Sequence, residues 1–508
     1  MQLPSLGAAR GRRAAIAAAS ALALAGGAAT FVALPAGAAL PTSYAGNAYP
    51  ATLAAPSGDK QQSKVWRASN AWWGVLISPA KGVPTIQELL ANHTWRDTGV
   101  VVDTRADSTA DVWYAANTLY TVSRTATGNI QYSRFTLSAS RVWSKVTGFP
   151  VTVAAGGTES ASLARDSGGT IWATWTQGAR VWYAKSAGTN DKTWTKALLP
   201  VSDNTVAADD VSAILAFNGK IGIGYSDQQS DAFHFAIHTD GAAAGTWKLE
   251  TPLAGADLVD DHISLKAVGG DARVFAAVKT SLDAAGAADD ATLIYVLRRN
   301  ADGTWTKTRG ASVGDKATRA QLFLDRENSR AYLLTSGPAT GGTIYYKTAP
   351  FVGMKWARGR GAPLITAAGS VLNDVSVAKG STTGASDMAA IASDTANHRY
   401  YHAEIPVQAA DEQAPISQTA INSAATGAGE ITTTWPLATD DRGITAYDVY
   451  MNNAKISTIT ITAANENLRT FTFTKTGLAA GTYRFAVVAK DAAGNSGIKR
   501  TASAVVLP

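Results

Sequence analysis

The sequence predicts an all-β protein, in which a six- or seven-bladed β-propeller, with seven blades favoured, is followed by a small β-sandwich. Three observations lead to this prediction. Strand-like segments of similar design recur about every fifty residues over most of the chain. The 508 residues include 46 glycines and 16 tyrosines, a composition that favours short strands and turns. Near residue 415 the spacing changes to that of a separate β domain.

The clearest repeat lies between Ser162 and Trp194. Three short strands joined by turns, plus an edge strand opened by tryptophan, make one four-stranded blade. The edge-strand tryptophan recurs at intervals of 48 to 58 residues, at Trp95, Trp143, Trp194, Trp247, Trp305 and Trp356. Because these rings recur at one structural position, we interpret them as blade packing rather than as sugar-stacking platforms. Trp66, Trp72 and Trp73 break the pattern and are expected to be exposed.

The blade count follows from the starts of the inner strands. These starts fall at Ser160, Asp210, His262, Arg319 and Asp374, and the same step backwards lands near Asp111 and Ser63. Seven blades result, but the last one lacks the late tryptophan. A strand from the other end of the chain would complete it and close the ring. Six blades result instead if residues 64–95 only complete the last blade.

The N-terminus has the features of an export signal. Arg10, Arg12 and Arg13 precede an Ala-rich apolar run, and Ala36-Gly-Ala38 offers a cleavage site. We therefore predict a signal peptide over 1–39, used by the Sec or the Tat route, and a secreted, extracellular protein. Gly26-Gly27 interrupts the apolar run, which argues against the alternative of a membrane anchor. No later apolar stretch is long enough to span a bilayer.

The remaining boundaries and general partners follow from composition. We expect a linker over 40–60, the propeller over 61–408, a second linker over 409–414 and the β-sandwich over 415–508. The chain has no cysteine, so after export its cores alone must hold the fold. The net charge of +6 is scattered without a Lys/Arg cluster, which argues against a nucleic-acid partner. We expect a monomer.

The C-terminal segment carries recognisable motifs. These are the early Trp435, the Tyr447-Asp-Val-Tyr450 strand, Leu478 before Gly481-Thr-Tyr483, and the closing run Asp491–Ser496. Together they resemble a fibronectin type III domain over nearly all of 414–508. The resemblance implies an accessory module of the kind found in secreted bacterial polysaccharide-degrading enzymes, with no chemistry of its own.

Motifs in the preceding repeats resemble those of known propellers. Asp166–Trp172 and Asn300–Trp305 resemble the Asp-box turns of BNR-repeat, sialidase-like propellers. Asp260-Asp-His262 with Lys266, and Val278-Lys-Thr-Ser281, resemble motifs of exported bacterial propellers. Sialidases surround a carboxylate with three arginines, whereas only Arg105 and Arg319 lie at the level of the channel here. The resemblance therefore implies the fold and not sialidase activity.

Polar residues precede the inner strands and should converge on one mouth of the channel. A serine recurs in four of the five aligned inner strands, at Ser162, Ser212, Ser264 and Ser376, with Gln321 in the fifth. We expect this position to be architectural, because a repeat places one residue type in one structural role. When the inner strands are aligned on this position, the residues two and three positions before it vary in type from strand to strand but are polar. Such variation is typical of a pocket for a polar substrate. The catalytic candidates are Glu159, Asp209, Asp210, Asp260, Asp261 and His262. The substrate-binding candidates are Arg105, Lys266, Arg319 and Asp374.

This pocket leads to two hypotheses about function. The first is a glycoside hydrolase or polysaccharide lyase acting on an extracellular polysaccharide or glycoconjugate. Crowded carboxylates would raise one another's pKa and supply the acid and its ionised partner. No cofactor is required, although Ca²⁺ bound by carboxylate oxygens, with His262 or Lys266 as base, is an alternative. The second hypothesis is a non-catalytic surface or matrix protein that binds glycan or protein, and for any single Asp closure of a turn is a simpler role.

Overall fold

The structure is a computed structural model that describes residues 41–58, 60–269, 271–338, 340–381, 387–407, 413–417, 420–462, 465, 468–491 and 493–508. The predicted signal peptide over 1–39 lies outside this part of the chain, as does most of the linker predicted over 409–414. Within the described residues there is no helix that is long and apolar enough to cross a membrane. Apart from one 3₁₀ turn, Val313–Asp315, the regular elements there are β-strands.

Strand β1 (Tyr44–Ala48) opens the described chain, and seven antiparallel sheets follow, numbered in sequence order. Sheet 1 consists of β2 (Val65–Ala68), β3 (Ala71–Ile77), β4 (Pro84–Leu89) and β5 (Trp95–Val101). Sheet 2 consists of β6 (Thr109–Ala115), β7 (Thr118–Arg124), β8 (Ile130–Leu137), β9 (Trp143–Lys145) and β10 (Val151–Ala154). Sheet 3 consists of β11 (Ala161–Arg165), β12 (Ile171–Thr176), β13 (Val181–Ala187) and β14 (Asn190–Leu198).

Sheets 4, 5 and 6 each consist of four consecutive strands, whereas sheet 7 has three consecutive strands and takes its fourth from the start of the chain. Sheet 4 consists of β15 (Ser212–Phe217), β16 (Lys220–Asp227), β17 (Ala232–Thr239) and β18 (Lys248–Ala254). Sheet 5 consists of β19 (Ile263–Ala267), β20 (Val274–Lys279), β21 (Thr292–Arg299) and β22 (Trp305–Ser312). Sheet 6 consists of β23 (Thr318–Asp325), β24 (Arg330–Gly337), β25 (Thr343–Pro350) and β26 (Ala362–Ile365). Sheet 7 contains β27 (Leu372–Ser376), β28 (Asp387–Asp394) and β29 (Arg399–Pro406), with β1 as its fourth strand.

These sheets form a closed ring. The first strands of successive sheets contact one another from β2 through β27, and sheet 7 contacts sheet 1. The backbone amide of Lys64 donates a hydrogen bond to Ser376 Oγ at 2.8 Å across that last junction. Strand β1 pairs antiparallel with β29, so the predicted closure by a strand from the other end of the chain is confirmed. The linker predicted over 40–60 was wrong in this respect, because it contains a strand of the ring.

The sheets pack through tryptophans in two ways. The recurring tryptophans are packed as predicted, and Trp305 Nε1 donates a hydrogen bond to Glu250 Oε2 of the neighbouring sheet at 2.9 Å. The expectation that Trp66, Trp72 and Trp73 are exposed was wrong, since all three are buried. Trp66 and Trp73 both meet the ring of Trp143 edge-on, with centroids 5.7 and 5.6 Å apart. They fill the junction between sheets 1 and 2.

The serines of the inner strands join neighbouring sheets, as their constancy predicts. Ser162 Oγ donates to Asp111 Oδ2 at 2.9 Å, which connects sheets 3 and 2. The amide of Leu322 donates to Ser264 Oγ at 3.1 Å, which connects sheets 6 and 5. The serine column is therefore architectural.

The C-terminal part is a separate pair of facing sheets. Its strands are β30 (Asn422–Gly427), β31 (Glu430–Pro436), β32 (Ile444–Met451), β33 (Ala454–Thr460), β34 (Thr470–Lys475), β35 (Gly481–Tyr483), β36 (Phe485–Asp491), β37 (Arg500–Thr501) and β38 (Val505–Leu507). One sheet has the order β30-β31-β34, the other β33-β32-β36-β37, and β35 pairs with β38. Trp435, Tyr447 and Phe471 form a core cluster of aromatic rings. Arg469 anchors this part to the ring by an ion pair with Asp315 at 3.2 Å.

Candidate functional site

A polar cavity of about 610 Å³ lies at the mouth of the ring, where the inner strands begin. Glu159 precedes β11, Asp261 and His262 precede β19, and Arg319 and Asp374 belong to β23 and β27. The other lining residues come from the first two sheets' loops and from the segment before β2, namely Thr52, Leu53, Ala54, Ala55, Pro56, Gly58, Lys60, Asp107, Ser108, Thr109, Arg124 and Ala126. Charged groups of both signs thus face one space, and the described lining residues include no Trp, Tyr or Phe.

The structure brings five of the ten residues predicted for the site to this cavity: Glu159, Asp261, His262, Arg319 and Asp374. Asp260 lies directly behind them, in contact with His262. Asp209, Asp210, Arg105 and Lys266 do not line the cavity.

Asp209 and Asp210 lie beside the mouth in a turn. The buried carboxylate of Asp210 accepts hydrogen bonds from the amides of Ala207 at 2.7 Å and Gln228 at 3.0 Å. Burial raises its pKa, against the opposing effect of these hydrogen bonds. Asp209 is exposed and accepts a hydrogen bond from Gln228 Nε2 at 3.1 Å. Asp210 closes the turn before β15, which is the simpler role the sequence offered for such a residue.

Arg105 and Lys266 have structural partners away from the cavity. Arg105 binds both carboxylate oxygens of Asp103 and also donates to the carbonyl of Asn129 at 2.6 Å. Lys266 is buried inside the ring, where its ammonium donates to Ser63 Oγ at 3.1 Å and to the carbonyl of Ala378 at 2.9 Å. Burial lowers the pKa of Lys266 to about 7.

The centre of the site is Lys60, which bridges two carboxylates. Its Nζ lies 2.7 Å from Glu159 Oε1 and also forms a short ion pair with Asp261 Oδ2. The side chain of Lys60 is only 11% exposed, whereas that of Glu159 is 40% exposed. Burial alone would lower the pKa of Lys60, but the two carboxylates raise it above its ordinary value. Lys60 therefore remains charged and neutralises the two acids that it bridges.

His262 is held by the two preceding aspartates. Its Nδ1 lies 2.8 Å from Asp260 Oδ1 and also contacts Asp261 Oδ1. Burial alone would lower the pKa of His262, but hydrogen bonds to both carboxylates raise it. Burial alone would raise the pKa of Asp261, but hydrogen bonds with His262 and Asp260 and the charge of Lys60 hold it well below its usual range. Asp261 is consequently an ionised hydrogen-bond acceptor.

Arg319 and Asp374 form a second ion pair across the cavity. Arg319 Nε donates to Asp374 Oδ1 at 2.7 Å. Burial raises the pKa of Asp374, and the charge of Arg319 only partly offsets this effect. Both residues, and Lys60, have left-handed backbones, with φ of 51°, 51° and 53°. Such a backbone costs roughly 1–3 kcal/mol per residue and is concentrated at ligand-binding sites.

The segment before β2 closes the channel beneath the cavity. Gln61 Nε2 donates to Ser160 Oγ and to the carbonyl of Ser212, both at 2.7 Å. Gln62 Nε2 donates to the carbonyl of Ala161 at 2.8 Å. These side chains tie the segment to sheets 3 and 4 at the centre of the ring. A ligand that enters the cavity therefore meets a floor made of residues 60–62.

The donors around His262 do not fit Ca²⁺. The oxygens of Asp260 and Asp261 and a nitrogen of His262 lie within 4.8 Å of one another. However, Asp260 accepts a hydrogen bond from Lys279 Nζ at 2.7 Å, and Asp261 is paired with Lys60. The ammonium groups of Lys279 and Lys60 therefore already compensate the two carboxylates. In addition, Ca²⁺ prefers a shell of roughly six to eight oxygen ligands, whereas this cluster offers an imidazole nitrogen.

Sequence reasoning missed two cations of the cavity, Lys60 and Arg124. Lys60 lies in the predicted linker, and Arg124 ends β7. The sequence feature that could have revealed Lys60 is the polar run Lys60-Gln-Gln-Ser-Lys64 directly before a buried strand, which is unusual for a free linker. Burial lowers the pKa of Arg124 to about 10, and the charge of Glu159 opposes this effect.

The fold and the cavity define a β-propeller with a polar, charge-balanced mouth. No protein-family model matches the chain. A stretch of 86 residues is 45% identical to Chitinase A1 of Niallia circulans, covering 17% of this chain and 11% of that protein. A stretch of the same length is 40% identical to Exoglucanase B of Cellulomonas fimi, covering 17% of this chain and 7% of that protein. The chain thus spans a small fraction of the curated relatives it matches.

Solved structures with a similar arrangement include lectins and a neuraminidase-like protein. The BP39L lectin of Burkholderia pseudomallei has 11% identity and a TM-score of 0.46, covering 68% of this chain and 96% of the lectin. The fucose-specific lectin of Aleuria aurantia has 13% identity and a TM-score of 0.39, covering 59% and 95%. The neuraminidase-like protein of A/bat/Guatemala/164/2009 has 10% identity and a TM-score of 0.36, covering 59% and 90%. Similarities at this level do not determine a function.

Proposed function

We propose that this protein is an exported glycan-binding propeller, whose mouth cavity receives a polar sugar unit of an extracellular polysaccharide or glycoconjugate. The observation that carries the proposal is the Lys60 bridge between Glu159 and Asp261. This bridge holds a set of hydrogen-bond donors and acceptors in fixed positions above a closed channel. Carbohydrate hydroxyls are bound by such groups, because each hydroxyl both donates and accepts hydrogen bonds.

Binding is favoured over hydrolysis by the state of the carboxylates. A glycosidase needs one carboxyl group that holds a proton near the leaving oxygen and a second one that is ionised. Asp261 is held ionised, and Glu159 shares the ammonium of Lys60. The floor formed by residues 60–62 also matches a scaffold for recognition better than an open catalytic cleft.

The choice of a glycan as ligand has a second, independent support. The 86-residue similarities connect part of this chain to a chitinase and an exoglucanase. An accessory segment shared with such enzymes would be consistent with a protein that acts at a polysaccharide, as those enzymes do. We assign this role to residues 415–508 as a fibronectin type III domain. The three-stranded and four-stranded facing sheets with a core tryptophan support that assignment.

The same proposal includes the finer architecture. We take the seven sheets as the blades of a seven-bladed propeller closed by β1. We also take residues 1–39 as a cleaved signal peptide. N-terminal sequencing of the protein recovered from a culture medium tests the export step. A first residue near Leu40 is expected, and an intact N-terminus in a cell-bound protein contradicts it.

Hydrolysis remains as a second candidate because of Asp374. The pKa of its carboxyl group is raised by burial, and it lines the same cavity as the ionised Asp261. Two carboxyl groups with opposite pKa shifts are the arrangement that supplies an acid and its partner. In this candidate Asp374→Asn would abolish turnover, while Arg319→Gln would chiefly weaken binding.

The test is a binding and turnover screen of the mature protein on chitin, cellulose and a uronic-acid polymer. Depletion from solution measures binding, and new reducing ends or unsaturated uronic products measure turnover. Arg319→Gln and Glu159→Gln should each weaken binding about tenfold or more, since a lost charged hydrogen bond costs roughly 1.5–3 kcal/mol.

The matched control is Arg96→Gln, which removes an exposed guanidinium from the outer strand β5 and should bind like the wild type. Unchanged binding by both cavity variants would overturn the assignment of the cavity. Turnover that Asp374→Asn abolishes would replace recognition by hydrolysis.

A further inference from the structure

A second cluster of ligating side chains lies in sheet 4, apart from the cavity. Asp203 belongs to the loop before β15, Asp227 ends β16, and His234 is in β17. His234 Nε2 lies 3.2 Å from Asp203 Oδ2 and 3.8 Å from Asp227 Oδ2. One ligand atom from each of the three lies within 4.8 Å of the other two.

The charge of this cluster is not balanced by a lysine or an arginine of the described residues. Throughout the described part of the chain, no lysine or arginine forms an ion pair with Asp203 or Asp227, whose ion-pair partner is His234. This differs from Asp260 and Asp261, which hold Lys279 and Lys60. The side chain of Asp227 is only 1% exposed. Asp227 accepts hydrogen bonds from its own hairpin, and a cation beside so buried a carboxylate would stabilise its charge further.

We propose that Asp203, Asp227 and His234 bind a first-row divalent cation of the zinc type. Zn²⁺ takes imidazole nitrogen and carboxylate oxygen at about 2.0–2.2 Å, so tetrahedral ligand atoms lie roughly 3.4 Å apart. The two nitrogen-to-oxygen distances of 3.2 and 3.8 Å bracket that value. Ca²⁺ is disfavoured, because it prefers a shell of oxygens.

The surroundings orient two of the three ligands, His234 and Asp227, as an outer shell does in metal sites. His234 Nδ1 lies 3.0 Å from Thr251 Oγ1, which fixes the ring with Nε2 toward the carboxylates. Asp227 Oδ2 accepts a hydrogen bond from Ser230 Oγ at 2.7 Å, and Oδ1 accepts one from the amide of Gln229 at 2.9 Å. His234 and Asp227 are thereby held in place by neighbours that are not themselves ligands.

The site is open on one side and tethers a loop. The side chain of Asp203 is 40% exposed, which gives an entry path and leaves a coordination position for water or a ligand. The cation would tie the loop before β15 to the hairpin between β16 and β17. Gln228 of that hairpin binds Asp210 beside the mouth. The cation would therefore stabilise one wall near the cavity without lining it.

The experiment is a titration of the metal-free, tag-free mature protein with Zn²⁺ by calorimetry, repeated with Co²⁺ by visible absorption. The chain has six histidines and no cysteine, so a single tight site is easily located. We expect one equivalent to bind. His234→Ala should weaken binding by about 100-fold and Thr251→Val by about tenfold, because outer-shell changes alone cost 10- to 100-fold, approximately.

A matched control and an independent variant keep the test decisive. His93→Gln removes an imidazole that contacts Glu404 in another sheet and should leave Zn²⁺ binding unchanged. Asp203→Asn changes a half-exposed loop residue and tests the site if His234→Ala fails to fold. Absence of one-equivalent binding, wild-type affinity in both Asp203→Asn and His234→Ala, or loss of binding in His262→Gln instead would each overturn the proposal.

Discussion

The contact between sheets 4 and 5 at Glu250 allows a quantitative prediction for Glu250→Gln. Glu250 in β18 accepts two hydrogen bonds from Arg299 of β21, at 2.8 and 2.9 Å, and one from Trp305 Nε1 at 2.9 Å. Its side chain and that of Arg299 are each 10% exposed. Burial alone would raise the pKa of Glu250, but the hydrogen bonds from Arg299, Lys248 and Trp305 lower it to about 2.

The magnitude follows from the difference between this pKa and that of the unfolded chain. An unfolded glutamate has a pKa of about 4.3, and each unit is worth 1.36 kcal/mol, so the charge of Glu250 contributes about 3 kcal/mol. Because the folded pKa is depressed, this contribution is complete above the unfolded pKa and is lost as the pH falls toward 2. Near pH 3, about half of it should remain.

The assay is urea unfolding of wild type and Glu250→Gln, near pH 7 and near pH 3. The variant should be less stable by about 3 kcal/mol near pH 7, and the gap should narrow by about half near pH 3. Lys248→Gln is the matched control, because Lys248 is 71% exposed and its pair with Glu250 is worth less than about 1 kcal/mol. A gap below about 0.5 kcal/mol near pH 7, or an equal gap at both pH values, would refute the reasoning.

Three further outcomes are expected. Lys60→Met leaves Glu159 and Asp261 without their shared ammonium and should cost about 2–3 kcal/mol, below the 3–5 kcal/mol typical of a fully buried pair. Thermal midpoints that are the same in wild type and variant would argue against the bridge. Trp73→Ala should destabilise the ring by about 3–5 kcal/mol in urea, and a cost below about 1 kcal/mol would contradict its burial. Deletion of residues 44–48 should speed hydrogen exchange of the β29 amides, and unchanged rates would show that β1 does not close the ring.

The ring could be predicted from the sequence because its repeats are local. The blades share the same alternation and turn positions, and all but the last carry a tryptophan near the edge strand, so one unit predicts the next. The closing role of a strand from the chain's other end also followed, since the last repeat lacked its fourth strand. Trp66 and Trp73 were misread for a related reason. Their departure from the repeat could not predict that both rings pack against Trp143 of the next sheet.

The sequence by itself determined the all-β architecture, and it predicted a boundary near residue 415 and a mouth on which polar residues converge. Only the tertiary structure decided which of those polar residues share a cavity. Glu159 and Asp261 are about a hundred positions apart and meet through Lys60, which the sequence placed in a linker. Asp210, which starts an inner strand as Asp374 does, is instead held in a turn and does not line the cavity. The physical reason is that hydrophobic and turn periodicity specify strands, whereas the pairing of charges depends on distances between segments that no local pattern records.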